Sequence, residues 1–577
     1  MVEKNTKKLN RREFIKNTAL LSGGVALLPT VLTSCDDDGE LPGLPGTDGF
    51  SEGVASFDPS QTSVILWTRY ASLLGESGSA ALRWEVAENS NFAPVVKSGN
   101  LTATSATDFT VSVDVTGLAP NKKYYYRFRN ELTKQSSVVG ETRTLPTAGQ
   151  VSSVKLAVVS CSNFQAGLFN VYGAVAASEA DIVVHLGDYI YEYGRGEYGT
   201  NPATAALNRG HLPTVEIIGL QDYRVRYKQY RGDKQLQKAH QLKPFICIWD
   251  DHELANDAYN DGAQNHQPNE GDFAQRKRNA QQAWHEYLPA RVGSKDKIFR
   301  SFDLGGLANL LMLDTRLAGR DKQLSYTDYY GAGNVFNAAA FAAAWLNPSR
   351  SMLGSEQRAW LAGALAGSQA KWQVLGSQVL MGKMYIPAEL LVLVAQLASG
   401  GATPALLAQY TALASQLIAI KLRIQQGDPT VTAAERARVE TVLPYNLDAW
   451  DGYPAEREKL YAAAQGKKLV SLAGDTHNAW YSDLRDASGR KVGAEFACSS
   501  VTSPGFEALF GGNVAAAQGF AQSTEILIDD LQYLDATQRG YVLAEFTATS
   551  ATSQWRYVTS ILTENTTTTT GKVASES

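Results

Sequence analysis

Five apolar runs in this chain end on residues able to hold a metal ion, and from that repeated ending a chemistry can be read. Ile182-Val183-Val184-His185-Leu186 ends on Gly187-Asp188, with Tyr191 three residues beyond the aspartate. Val154 to Ser160 ends on Cys161, and Phe245 to Trp249 ends on Asp250-Asp251-His252-Glu253. Leu310 to Leu313 ends on Asp314-Thr315-Arg316, and Leu469 to Ala473 ends on Gly474-Asp475-Thr476-His477. Runs of this length and branched-aliphatic content read as buried parallel strands, and in open α/β sheets chemistry collects beyond the carboxyl ends of strands. A single aspartate after a strand is ordinarily a cap or turn residue. Five such endings point instead to a shared metal centre. Asp188 can bridge two cations through its two oxygens, Tyr191 can offer a phenolate to a hard trivalent ion, and Cys161 a thiolate. Asp251, Asp475 and His477 would complete the shell of the second ion.

The elements that must position these residues follow from hydrophobic patterning. From Val154 onward, long apolar runs alternate with helical stretches, which predicts a layered α/β domain over residues 149–563. Residues 51–148 carry short alternating runs, Ser63 to Arg69, Leu82 to Ala87, Phe109 to Val115 and Lys123 to Arg129, which predict a small antiparallel sandwich. Its Gly117-Leu118-Ala119-Pro120-Asn121 turn and the strand Tyr124 to Phe128 resemble those of fibronectin type III domains. Residues 387–442 are rich in Ala, Leu and Gln and read as a helical hairpin inserted into the catalytic domain. The Thr432-to-Glu435 capping box marks one of its helices. The insert is too interrupted to span a bilayer, and its apolar residues recur at helical spacing, so core packing is expected of it. Residues 564–577 read as a polar low-complexity tail.

The chain has 577 residues, enough for two or three domains, and a net charge of only −5, which gives no sign of nucleic-acid binding. Residues 1–34 read as an export signal. Asn10-Arg11-Arg12-Glu13-Phe14-Ile15-Lys16 has the twin-arginine pattern, Ala19 to Leu32 is a short apolar core, and Leu32-Thr33-Ser34-Cys35 resembles a lipobox. The expected location is therefore the periplasm or cell surface, with a lipid anchor at Cys35, a solvated tether to residue 50, and a monomeric protein. With Cys35 lipidated, Cys161, Cys247 and Cys498 form an odd set, so at least one thiol stays unpaired.

Taken together, Ser160-Cys161-Ser162-Asn163, Gly187-Asp188-Tyr189-Ile190-Tyr191, Trp249-Asp250-Asp251-His252-Glu253, Leu313-Asp314-Thr315-Arg316 and Gly474-Asp475-Thr476-His477 resemble the ordered motif set of the alkaline phosphatase D (PhoD-like) family of metallophosphoesterases. The resemblance implies a four-layer βα sandwich and an Fe³⁺ ion with one or more Ca²⁺ ions. It also implies hydrolysis of phosphomonoesters and phosphodiesters at alkaline pH. By the same likeness Cys161 and Tyr191 would ligate iron, Asp188 would bridge, and Asp251 and Asp475 would stand where the wider superfamily has neutral ligands. Carboxylates there suit an oxygen-loving ion such as Ca²⁺. His252 would serve the leaving group, and Arg316 would either clamp a phosphate oxygen or pair internally with Asp314. Asn256 is a further oxygen donor. His185 reads as a packed core residue.

Two cations roughly 3.5–4 Å apart would lower the pKa of a water and stabilise both the attacking and leaving oxygens of an in-line displacement. The chain shows neither a Ser-His-Asp pattern at its strand ends nor a Gly-x-x-x-x-Gly-Lys loop, which disfavours acyl-transfer chemistry and nucleotide-driven machines. The competing expectations are a dedicated phosphodiesterase of phospholipase D type and a non-catalytic surface lipoprotein.

Overall fold

In the computed structural model, which describes residues 49–71 and 78–577, the apolar runs become strands of two large sheets sharing one core. The export signal, Cys35 and most of the tether fall outside the described residues. At the centre of the first sheet Ser153–Val159, Ile182–His185 and Pro244–Cys247 are parallel neighbours. They read as continuous rather than alternating apolar text because parallel strands are covered on both faces. Ala308–Met312, Trp372–Gly376, Lys468–Ala473 and Lys491–Ala497 run parallel in the second sheet. Leu156, Val184 and Ile246 from the first sheet share a core with Leu310, Val374 and Val470 from the second. Helices Asn170–Ala177 and Lys234–Leu242 lie against strands of the first sheet. Leu361 and Leu365, from Gly354–Gly367, and Leu460, from Pro454–Ala463, join a second core with Leu311, Leu375 and Leu469 on the far side of the second sheet. The layers are thus helix, sheet, sheet, helix, and the strand ends of both sheets meet at one edge.

The strands of the amino-terminal unit fall in two sheets, one of them shared with the following domain. Val54–Phe57 pairs in parallel with Pro244–Cys247, placing Ser56 opposite Pro244 and Phe57 opposite Phe245. Val54–Phe57, Ser63–Arg69 and Thr110–Thr116 therefore extend the first large sheet to nine strands, while Val95–Thr104, Ser79–Ala87, Lys123–Asn130 and Gly140–Arg143 form a separate four-stranded sheet. Val64, Leu66, Leu82, Val86 and Phe128 give the two a core of their own. Periodicity reports the faces of a strand and not its lateral neighbour, so the shared edge leaves no mark in the text. Its physical role is to cover Pro244–Cys247, which would otherwise present unpaired backbone groups.

The carboxyl terminus requires a correction. Thr568–Glu576 is an edge strand, antiparallel to Ala551–Val558, and not a tail. The threonines that mark it as low complexity are also β-branched, and an edge strand needs few apolar side chains. Glu576 accepts from the Tyr481 hydroxyl at 2.8 Å and pairs with Lys491 at 2.8 Å, which pins the end.

The helical insert is present as Ala388–Gly400, Pro404–Gln425 and Ala433–Glu440. Its base is closed by a two-stranded ladder of Tyr385–Pro387 and Val442–Pro444. The capping box is formed: the Glu435 amide donates to Thr432 Oγ1 at 3.1 Å, and the Thr432 amide to Glu435 Oε2 at 2.8 Å.

One buried ion pair ties the amino-terminal unit to the second sheet. Arg300 donates to both oxygens of Asp58, at 2.7 and 2.8 Å, and to the Cys247 carbonyl at 2.7 Å. Asp58→Asn suits the backbone φ of 42° there and removes the charge and one of the two acceptor oxygens that Arg300 uses, leaving Arg300 buried without its counter-ion. It should destabilise the protein by about 3 kcal/mol, read from the midpoint of denaturant unfolding. An unchanged midpoint would contradict the role given to this pair.

Candidate metal centre

Each strand-end loop turns sharply as it leaves its sheet. Cys161, Asp188, Asp475 and His477 all have positive φ, at 60°, 53°, 63° and 66°. A non-glycine residue held there costs of order 1 kcal/mol or more, and such residues persist where the surroundings over-determine them, often at functional sites. Gly187 and Gly474 permit the loops to close in. A Cβ on Gly187 would sit 2.4 Å from the Asp250 backbone nitrogen, and one on Gly474 would sit 2.4 Å from Ser160 Oγ. The side chains that follow these glycines are thereby aimed into one volume.

Three overlapping groups result, each with ligand atoms within 4.8 Å of one another: Cys161, Asp188 and His477; Asp188, Asp251 and His252; Asp250, Asp251 and Asp475. Asp188 belongs to the first two. Tyr191 joins the first group, its hydroxyl 3.1 Å from Asp188 Oδ2 and 3.3 Å from His477 Nε2. The structure sets His477 beside Cys161 and Asp188 rather than in the group of Asp250, Asp251 and Asp475. Its Nδ1 lies 2.8 Å from the Pro504 carbonyl, an acceptor only, which makes Nδ1 the protonated nitrogen and leaves Nε2 as a lone-pair donor facing Tyr191. Burial lowers its pKa to about 3, so the ring is neutral.

The donor set fits metal ions. Burial, with Asp250 and Asp251 adding repulsion and His252 opposing, raises the Asp188 carboxyl well above its ordinary range. Burial and the nearby Asp188 likewise raise Cys161 and Tyr191. With no cation among them the three groups favour their protonated forms, and a cation placed between them would favour carboxylate, thiolate and phenolate. Asp250 Oδ2 is buried without a hydrogen-bond partner. Asn256 donates from Nδ2 to Gln264 Oε1 at 3.0 Å, which leaves its own Oδ1 as an oxygen donor beside Asp251.

Arg316 is fully buried and does not line the cavity. Of the two roles open to it the structure takes internal pairing, with partners other than the Asp314 side chain. Its guanidinium donates to Asp250, to both oxygens of Asp448 at 2.8 and 3.0 Å, and to Asp475 at 3.0 Å, with Asp251 at 3.5 Å. Asp314 instead accepts the backbone amides of Arg316 and Leu317 at 2.9 and 2.8 Å. The substrate-clamp expectation therefore gives way to a structural one.

Two glutamates escaped the sequence reading. Glu253 accepts the backbone amides of Asp188 at 2.9 Å, Tyr189 at 2.6 Å and Asp250 at 2.8 Å, binding two strand-end loops into one unit. Glu192 holds His252 Nδ1 at 2.7 Å and accepts from the Asn256 amide at 2.8 Å and from Asn265 at 2.8 Å. The available signal was position: both glutamates adjoin motif residues. His252 is buried, which works against a charged ring, but Asp251, Glu192 and Asp188 outweigh that and raise its pKa well above the ordinary value. His185 is core, as expected, bonded through Nε2 to Tyr172 at 2.7 Å. Cys161, Cys247 and Cys498 are all buried and unbridged.

A cavity of about 630 Å³ opens onto this centre. Asp251, His252, Asn256, Asp475 and His477 line it, as do residues of the insert helix Ala388–Gly400 together with Phe506 and Leu509.

Comparison with known proteins agrees with this geometry. The family model for PhoD-like phosphatase matches residues 156–555, and that for the PhoD-like phosphatase N-terminal domain matches residues 42–146. Alkaline phosphatase D of Bacillus subtilis (strain 168) is 33% identical over 571 residues, covering 95% of this chain and 83% of the relative. The solved structure of PhoD superposes with a TM-score of 0.70 at 30% identity, covering 92% of this chain and 90% of that one. The chain belongs to the PhoD-like phosphatase family, and it is a phosphatase, a hydrolase of phosphate esters.

Proposed function

We propose that this protein hydrolyses phosphomonoesters and phosphodiesters at a mixed centre of one Fe³⁺ and one or more Ca²⁺ ions. The observation that carries the reading is the sharing of Asp188 between two donor groups, Cys161 with His477 and Asp251 with His252, of which Asp251, His252 and His477 line one cavity. Cys161, Tyr191, Asp188 and His477 combine thiolate, phenolate, carboxylate and imidazole, a set suited to trivalent iron. Asp188, Asp251, Asp475 and Asn256 offer oxygen alone, which suits calcium. Such ions, when bound, supply the Lewis acidity that activates a water and neutralises the phosphoryl group.

The chain's own residues account for the rest. His252 Nδ1 is committed to Glu192, so Nε2 is the atom available to the cavity, and a ring kept protonated by its carboxylate neighbours can donate there. As the P–O bond to the alcohol breaks and water supplies the new oxygen, the leaving alkoxide takes its proton from this nitrogen. Arg316 and Glu253 hold the carboxylates and loops in place without touching the substrate. The twin-arginine pattern and Cys35 support export and a lipid anchor in the periplasm or at the cell surface, and we take the protein to act there as a monomer.

Two variants test this reading. Asp188→Ala should abolish hydrolysis of both p-nitrophenyl phosphate and bis(p-nitrophenyl) phosphate and strip the metal, while the circular-dichroism spectrum stays native. Retained turnover would refute the bridging role. His252→Gln should lower kcat by about 10²-fold or more for alkyl esters, whose alkoxide needs a proton. It should cost far less for p-nitrophenyl esters, whose leaving group departs as a stable anion. Equal losses on both would exclude His252 as the acid.

A further inference from the structure

We infer that the wall of the cavity formed by helix Ala388–Gly400 is a subsite for an apolar group carried by the phosphate ester, so that the natural substrate joins one phosphoryl group to an alkyl or aryl substituent of several carbons. The inference rests on the phosphate-ester reading above and adds the class of substrate.

The first observation is that helix Ala388–Gly400 is apolar on two faces, of which the fold uses one. Leu390, Val394 and Leu397 are buried in the core beyond the second sheet, and Leu391 packs against it. Val392 and Ala395 line the cavity from exposed positions, and Val392 is 52% exposed. Packing accounts for the first face and leaves the second unexplained. The helix is also well fixed. Its base rests on the ladder of Tyr385–Pro387 and Val442–Pro444, and Glu389 receives a two-pronged ion pair from Arg438 at 2.8 and 3.0 Å. Such a wall is a preformed surface, and it lines the same cavity as Asp251 and Asp475, which makes the two parts of one site.

The second observation is electrostatic. Among the described residues that line this cavity there is no lysine and no arginine. Arg316, the arginine paired with the centre's aspartates, is spent on four carboxylates. Away from the metal end, a second or third phosphate would find no side-chain cation, and water would be stripped from it without compensation. Polyphosphorylated or polymeric anions are therefore poor occupants, whereas an apolar chain beside Val392 and Phe506 gains from every methylene it buries. A cavity of about 630 Å³ is within the ordinary range for small ligands with mostly apolar linings and a few fixed polar groups.

The probes are methyl-, butyl- and octylphosphonate, which share a non-hydrolysable phosphoryl head and differ only in chain length. Calorimetric titration of the metal-loaded protein should give a Kd that falls at least tenfold from methyl to octyl, since each covered methylene is worth roughly three- to fourfold. In a Val392→Asp, Ala395→Asp double variant, changed only at exposed positions, that advantage should shrink below threefold. Equal Kd values for the three probes on the unmutated protein would overturn the subsite. Failure to hydrolyse either nitrophenyl ester would instead remove the phosphoesterase reading while the binding series still stood. Monomeric dihexanoyl phosphatidylcholine separates the two sources of such an ester. Its hydrolysis assigns the subsite to a lipid, and tight octylphosphonate binding without it assigns the subsite to a soluble alkyl or aryl ester.

Discussion

The structure depends on keeping four aspartates, the buried Asp188, Asp250 and Asp251 and the half-buried Asp475, close enough to share cations without expelling one another. Ligand atoms in these groups lie within 4.8 Å of their neighbours, where two like charges repel by roughly 3–4 kcal/mol even at an effective dielectric constant of about 20. Arg316 answers most of that repulsion. It is buried, so its own desolvation is tolerable only because Asp250, Asp251, Asp448 and Asp475 surround it. Arg320 supports the arrangement by pairing with Asp448 at 2.6 Å. What remains uncompensated lies around Asp188 and the cavity-facing oxygens, where metal ions would complete the balance.

Holding charges so close requires rigid loops. Three of the loops leave their strands through left-handed residues, at Cys161, Asp188 and Asp475, and the loops are tied to one another rather than only to their own strands. Glu253 links the loop after Ile182–His185 to the loop after Pro244–Cys247. Gln378 reaches from the second sheet to the carbonyls of Trp249 at 2.8 Å and Leu313 at 2.7 Å, joining the two sheets at the same edge. The amino-terminal strands and the carboxyl-terminal strand then close opposite flanks of the first sheet. Regions far from the chemistry thereby stabilise the frame on which the ligands sit.

The sequence made the ligands legible because buried parallel strands read as apolar runs and a polar residue at the end of each stands out. It did not reveal which ligand joins which ion. That depends on how loops from different sheets cross, and His477 sits with Cys161 rather than with Asp475 for this reason. Arg316 was visible as a strand-end residue, but whether an arginine faces outward to substrate or inward to carboxylates is decided by tertiary packing. Glu192 and Glu253 lay hidden because a glutamate that accepts backbone amides has no spacing signature. The carboxyl-terminal strand was obscured by its threonine repeats, since composition suggested low complexity where β-branching supplied a strand. The insert was recognised as helical, yet its second apolar face became meaningful only once the cavity beside it was seen.

The account turns on metal ions held at the shared carboxylate. Its most direct test is element-resolved analysis of the purified protein, followed by chelation and stepwise return of iron and calcium while phosphate release is measured. The account predicts one iron and at least one calcium per chain, loss of activity on chelation, and recovery only when both are restored. A protein that contains neither metal and hydrolyses phosphate esters unchanged in the presence of chelator would contradict it.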